Sequence, residues 1–266
     1  MPSDPPAPAR YPTPQHARAA AAVVDFFAAR PETETVLLTC SCARGKASPE
    51  SCLDISIVMR PEVLAARRAE IEAEWARYYE AESVFAELRA LAGYTHVDLE
   101  LTDGRVDPAD YHHGWTSGPD AFEIEIGNTF VYAVPLWERS NFYREMQAQW
   151  LPYYAEELRA ERLTMARGCC ENNLDHIPSY ITRGLYFQSF QRLYHAFGEF
   201  LQALFISRRR YPVAYDKWIK EQIVDLLGLP DLYPRLVRLF EISHFESDEI
   251  ATKARELREM VEEYVG

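Results

Sequence analysis

Residues 41–58 read SCARGKASPESCLDISIV. The second half of this stretch alternates: Leu53, Ile55 and Ile57 are apolar, and Asp54 and Ser56 stand between them. That is the period-two pattern of a strand with one buried face. Gly45 and Pro49 punctuate the first half as a long turn. Before it, residues 35–42 (TVLLTCSC) form a short apolar, β-branched run. Two strands joined by a long turn, a hairpin-like pair, are therefore expected, with Asp54 and Ser56 side by side on one face.

Upstream, residues 15–30 are rich in alanine and carry Val23, Val24, Phe26 and Phe27, which predicts a first helix ended by Pro31. Downstream, residues 61–92 lack interior Pro and Gly and are rich in Ala, Glu, Arg and Leu, so one long helix or two abutting helices are expected. Residues 95–102 (THVDLELT) alternate again, which puts Asp98 and Glu100 together on a polar face. β-like pieces are expected at 122–126 and 129–134. From about Asn141 the pattern is helical, with turns near Gly168, Pro178, Pro212, Gly228 and Pro230 and the longest helix over 179–208. Cys169-Cys170 reads as a helix end or loop. The expected organisation is an arm over 1–14, a mixed α/β domain over 15–138 and a helical domain over 139–266. The fold class is α+β.

Composition bounds the function. The chain has 266 residues, 48% of them hydrophobic, enough for one large or two small cores. Its net charge of −13 disfavours extended contact with nucleic acid or an anionic membrane. No run of about 18 apolar residues occurs, so no membrane span is expected. The first fourteen residues hold six prolines with no basic start and no apolar core, a flexible arm and not a signal peptide, and the expected location is cytoplasmic. Five cysteines without paired C-x-x-C spacing read as reduced, mostly buried thiols.

The 41–58 stretch resembles the signature of the DNA polymerase β-like nucleotidyltransferase superfamily: a strand ending in Gly-Ser, a turn with Ala-Arg-Gly, and a strand carrying Asp-x-Asp. Ser41, Ala43, Arg44, Gly45, Ser51 and Asp54 match at the expected spacing. Cys40 stands in place of the glycine and Ser56 in place of the second aspartate. The resemblance implies a nucleotidyltransferase-type mixed sheet with flanking helices followed by a C-terminal helical bundle. It also implies a Mg²⁺-dependent enzyme that moves a nucleoside monophosphate from a nucleoside triphosphate, ATP first among them, to a hydroxyl of a small-molecule or macromolecular acceptor. Paired carboxylates on one strand face can hold two Mg²⁺ about 4 Å apart, which stabilise the attacking and leaving oxygens of an in-line displacement. Asp54 and Ser56 would occupy the metal positions. Asp98 or Glu100 would supply the third carboxylate, as ligand or as general base. Backbone N–H groups and the Ser41 hydroxyl of the turn would hold the outer phosphates, with Arg44 beside them. Because a hydroxyl is a weaker ligand for a hard cation than a carboxylate, Ser56 opens a second reading: a catalytically impaired module that binds nucleotide or regulates a partner.

Residues 206–220 (ISRRRYPVAYDKWIK) hold five basic side chains and one acidic. Together with Leu204 and Phe205 they look like the helical domain behind such nucleotidyltransferases, including one of unknown function and, more distantly, that of the aminoglycoside adenylyltransferases. The likeness makes Lys217 the candidate phosphate ligand and Arg192 a weaker one. Arg208 to Arg210 read equally as a helix end, where cations meet the negative end of the dipole. The aromatic residues of the long helix read as core. His112 and His113 could invite a metal, but adjacent loop histidines without further ligands make a poor site.

Overall fold

A computed structural model describes residues 10–111 and 114–266. The arm up to residue 9 and the His112–His113 pair lie outside the described residues. The chain forms two compact units: Met1–Val106 with Asn128–Leu151, and Asp107–Gly127 with Pro152–Gly266. A single division at 137–140 is thus replaced by an exchange of segments, since residues 107–127 belong with the later helices.

The first unit is built on a four-stranded mixed sheet in the order β3-β2-β1-β4, from β1 (Thr33–Leu38), β2 (Leu53–Met59), β3 (Val97–Thr102) and β4 (Val134–Glu138). β1 runs antiparallel to β2 and β4, and β2 runs parallel to β3. Its helices are α1 (Pro14–Ala28), the turn α2 (Cys40–Ala43), α3 (Pro61–Ala81), α4 (Ser83–Arg89) and α6 (Phe142–Trp150). Val36, Leu38, Ile55, Ile57 and Leu101 form one apolar sheet face, which packs in one core with Val23 and Phe27 of α1, Leu64 and Ile71 of α3, and Phe85 and Leu88 of α4. The expected strand over 35–42 stops at Leu38, because the chain turns through α2 before reaching the loop. α1 begins at a favourable cap: Pro14 occupies its first turn, and the Thr13 side chain accepts the His16 backbone N–H at 3.3 Å. The buried His16 ring then links this end to the signature turn, with Nδ1 2.8 Å from Thr13 Oγ1 and Nε2 3.0 Å from the Ser51 carbonyl.

The second unit is helical: α5 (Phe122–Ile126), α7 (Glu156–Thr182), α8 (Tyr186–Ser207), α9 (Leu232–Leu239) and α10 (Glu249–Tyr264), with a wide π-helical turn at Glu221–Leu226. Its core joins Ala166, Cys170, Leu174 and Ile177 of α7 to Leu193, Phe200 and Leu204 of α8 and Leu257 of α10. Three expectations are corrected. Residues 122–126 are helical, not a strand: the FEIEI alternation is overridden because Phe122, Glu123 and Ile126 are all buried, at spacings a helix turn brings together. Residues 129–134 likewise fall mostly in a π-helical turn, Gly127–Val131, and the strand comes later as β4. The longest helix is α7, which runs through Gly168 and Pro178 and buries Cys169 and Cys170 in its middle. Its end is a Schellman turn: Gly184 has φ +72°, Leu185 N–H donates to the Tyr180 carbonyl and Gly184 N–H to that of Ile181, both at 2.9 Å.

A buried charge cluster fastens residues 107–127 to these helices. Arg162 on α7 reaches both oxygens of Glu123, at 2.5 and 2.9 Å, and Asp120 at 2.6 Å. Gln202 on α8 donates to the same two acids, and Tyr154 to Glu123. Among the described residues, no helix is long and apolar enough to cross a membrane.

Candidate active site on the β2–β3 face

The parallel register of β2 and β3 sets Asp54 beside Asp98 and Ser56 beside Glu100. Partners in this ladder share a face, so three carboxylates and one hydroxyl form a two-by-two patch opposite the helix-covered core. β3 lies at the sheet edge, which leaves Asp98 and Glu100 exposed, whereas Asp54 is half-buried and Ser56 buried. The Ser56 hydroxyl donates to Glu100 Oε2 at 3.4 Å.

The turn ahead of β2 is tied to the same strand. Thr39 N–H donates to the Asp54 carbonyl at 3.0 Å, and Lys46 N–H to that of Ser41 at 2.9 Å. Cys40 has φ +54° and Gly45 +66°, both in the left-handed region. Glycine enters that region without cost, and a side chain such as that of Cys40 does not. Position 40, where the sequence resemblance expects glycine, thus lies in a backbone region that favours glycine. Ser41 and Arg44 are half-exposed in this turn.

An open cleft of about 440 Å³ gathers Thr39, Cys40, Asp54, Ser56, Asp98 and Glu100. It extends to Arg68 and Glu72 of α3, which the sequence did not single out. Their i, i+4 spacing reads as a solvated helix pair. In the structure Arg68 donates to the Leu101 carbonyl at 2.8 Å and to Glu72 at 3.3 Å, which fixes a guanidinium at the edge of an otherwise acidic cleft. Cys52 is the other residue missed. Its Sγ lies 3.3 and 3.4 Å from the two Asp54 oxygens. Burial first, and the Asp54 charge second, push its thiol up to about 12, so it stays protonated and acts as a donor to that carboxylate. Cys42 is buried behind it and likewise raised to about 12.

Ser41 and Arg44 flank the cleft without lining it. Lys217 belongs to the second unit, where it is exposed and its carbonyl accepts from Gln222 at 3.0 Å. Arg192 is buried, donating to Asn173 at 2.8 Å and to Tyr180 at 3.3 Å, and so serves the helical core.

Among the described residues, no group of three or more His, Cys, Asp or Glu is arranged to hold a metal ion. Mg²⁺ does not require such a cage, since it keeps several waters and is often bound by one or two carboxylates together with substrate phosphates. Asp54 and Asp98, hard oxygen donors on adjacent strands, fit that mode.

No family model matches the chain. No curated protein matches it either. Among solved structures, it is similar to a nucleotidyltransferase-like protein from Exiguobacterium sibiricum 255-15, at 12% identity over 92% of this chain and 74% of that one, with a TM-score of 0.45. A likeness at this level leaves function to be argued from the side chains.

Proposed function

We propose that the protein is a Mg²⁺-dependent nucleotidyltransferase that moves a nucleoside monophosphate from a nucleoside triphosphate, ATP first among candidates, to a hydroxyl acceptor. The observation that carries this reading is the β2–β3 register, which aligns Asp54 with Asp98 and Ser56 with Glu100 beside a turn whose position 40 is left-handed.

Asp54 and Asp98 would hold the metal, with the Ser56 hydroxyl as a weaker neighbour. Bound there, Mg²⁺ would neutralise phosphate charge and stabilise the attacking and leaving oxygens. Cys52, donating to Asp54, keeps that carboxylate in one orientation. Ser41 and Arg44, in the turn beside the cleft, would hold the outer phosphates, and Arg68 offers the cleft a positive charge. Glu100, or Asp98, takes the proton of the acceptor hydroxyl. The acceptor oxygen then bonds to the α-phosphorus as the bond from that phosphorus to the bridging oxygen breaks, and pyrophosphate leaves with the electron pair.

The test is pyrophosphate release from nucleoside triphosphates against a panel of hydroxyl acceptors, with Asp54→Ala beside the wild type. Loss of Mg²⁺-dependent turnover in the variant is expected, and undiminished turnover would overturn the assignment.

One observation favours a second reading. Ser56 is buried and its hydroxyl is directed to Glu100, so the pair that two carboxylates would make on β2 is incomplete. A module that binds nucleotide without turning it over would look like this. Calorimetric titration with ATP and Mg²⁺ separates the two: binding without turnover in the wild type, and turnover gained by Ser56→Asp, would select the impaired module.

A further inference from the structure

The second unit contains a cavity of about 250 Å³, walled by Pro119 and Ile124 of the exchanged segment, Tyr194 and Gly198 of α8, and Tyr215. It sits where the segment meets α8. A Cβ at Gly198 would stand 2.8 Å from Pro119 ring atoms, so glycine is what lets the proline approach. Gly118, at φ +81°, turns the segment against the His195 ring, 3.3 Å from where its own Cβ would be.

The polar groups of the wall are specific in kind. His195 Nδ1 lies 2.8 Å from the Thr116 carbonyl. A carbonyl only accepts, so Nδ1 carries the proton and, in the neutral ring, Nε2 is left as a lone-pair acceptor. Asp216, exposed at the rim, adds a carboxylate, which also only accepts. Tyr194 and Tyr215 contribute rings, and the faces of aromatic rings attract cations. Acceptors and aromatic faces together select a ligand that donates and carries positive charge. The volume, smaller than that of a typical drug-sized site, limits it to about one ring.

We propose that this cavity binds a compact organic ammonium, an amine carried on a small hydrocarbon or aromatic body, with the amine toward Asp216 and His195 and the body against Tyr194, Pro119 and Ile124. The proposal goes beyond nucleotidyl transfer and does not depend on Asp54.

The test is calorimetric titration of the full chain with benzylammonium chloride, with benzyl alcohol as the neutral isostere and phenylacetate as the anion. Benzylammonium is expected to saturate one site and to bind about tenfold more tightly than benzyl alcohol, with no binding of phenylacetate. Asp216→Asn, at an exposed position, should keep the wild-type circular dichroism spectrum and lose about fivefold or more in affinity. Tyr194→Ala should weaken binding too, and Asp54→Ala should leave it unchanged, which keeps this result separate from the catalytic reading. No saturable benzylammonium binding, equal affinity for benzyl alcohol, or an Asp216→Asn variant that binds like the wild type would each overturn the proposal.

Discussion

Cys40 is where sequence and geometry meet most directly. The signature asks for glycine there, the chain supplies cysteine, and the backbone is left-handed all the same. A side chain in that region costs about 1–2 kcal/mol. Cys40→Gly is therefore expected to be neutral or stabilising in urea unfolding, and Cys40→Val, β-branched, to lose about 1–2 kcal/mol. Equal midpoints for the two variants would refute the strain. Glu199 makes a second residue-scale prediction. It is buried on α8, receives both of its hydrogen bonds from Asn173 Nδ2, and is raised by burial from 4.5 to about 8. The folded state thus binds a proton that the unfolded chain releases near 4.5. The stabilisation from this group is complete below about pH 4.5, declines as pH rises, and is gone above about pH 8. At its steepest the decline is about 1.4 kcal/mol per pH unit. Glu199→Gln mimics the protonated form and should remove that slope, and parallel wild-type and variant curves from pH 5 to 8 would refute it.

At the scale of elements, much was legible. β2, β3 and the α3–α4 pair follow directly from alternation and from a Pro-free stretch, because their packing agrees with their local pattern. FEIEI at 122–126 alternates as well as any strand, yet it is a helix turn, since Glu123 must reach Arg162, Gln202 and Tyr154 and such partners lie far away in sequence. Proline removes an N–H and crowds the preceding turn, so the sequence pattern suggests a turn near Pro178, but α7 carries it on an exposed face. Pro178→Ala should accordingly stabilise α7, by about 1 kcal/mol or more in thermal or urea unfolding, and an unchanged midpoint would refute this. The Arg162 cluster predicts the opposite sign. Arg162→Leu leaves two carboxylates buried without their cation and should cost about 3–5 kcal/mol, much of it recovered when Glu123 is also made leucine. A single variant as stable as the wild type would show that the cluster holds nothing.

For the whole molecule, the candidate site was legible where it is local and hidden where it is not. Asp54, Ser56, Asp98 and Glu100 follow from two alternating strands, but whether those strands pair, in parallel and in this register, is a tertiary fact. Arg68 joins the cleft only through the folding of α3 against that pair, at the Leu101 carbonyl. The exchange of segments between units was invisible for the same reason, because nothing in residues 107–127 says which core they serve. It makes a prediction about fragments. A piece beginning at residue 139 lacks Asp120 and Glu123, and should show no cooperative thermal transition by circular dichroism, whereas the same helices supplied with residues 107–127 should regain one. A cooperative transition in the shorter piece would show that the segment is dispensable.

β1 is buried along its whole length and sits between β2 and β4. During synthesis β2 is made soon after it, but β4 appears only after the other unit's segment has passed. For that interval β1 presents an unpaired apolar edge, the feature by which nascent chains find one another. Translation speed between residues 59 and 134 thus bears on yield, and slowing it there should divert more of the chain into aggregates.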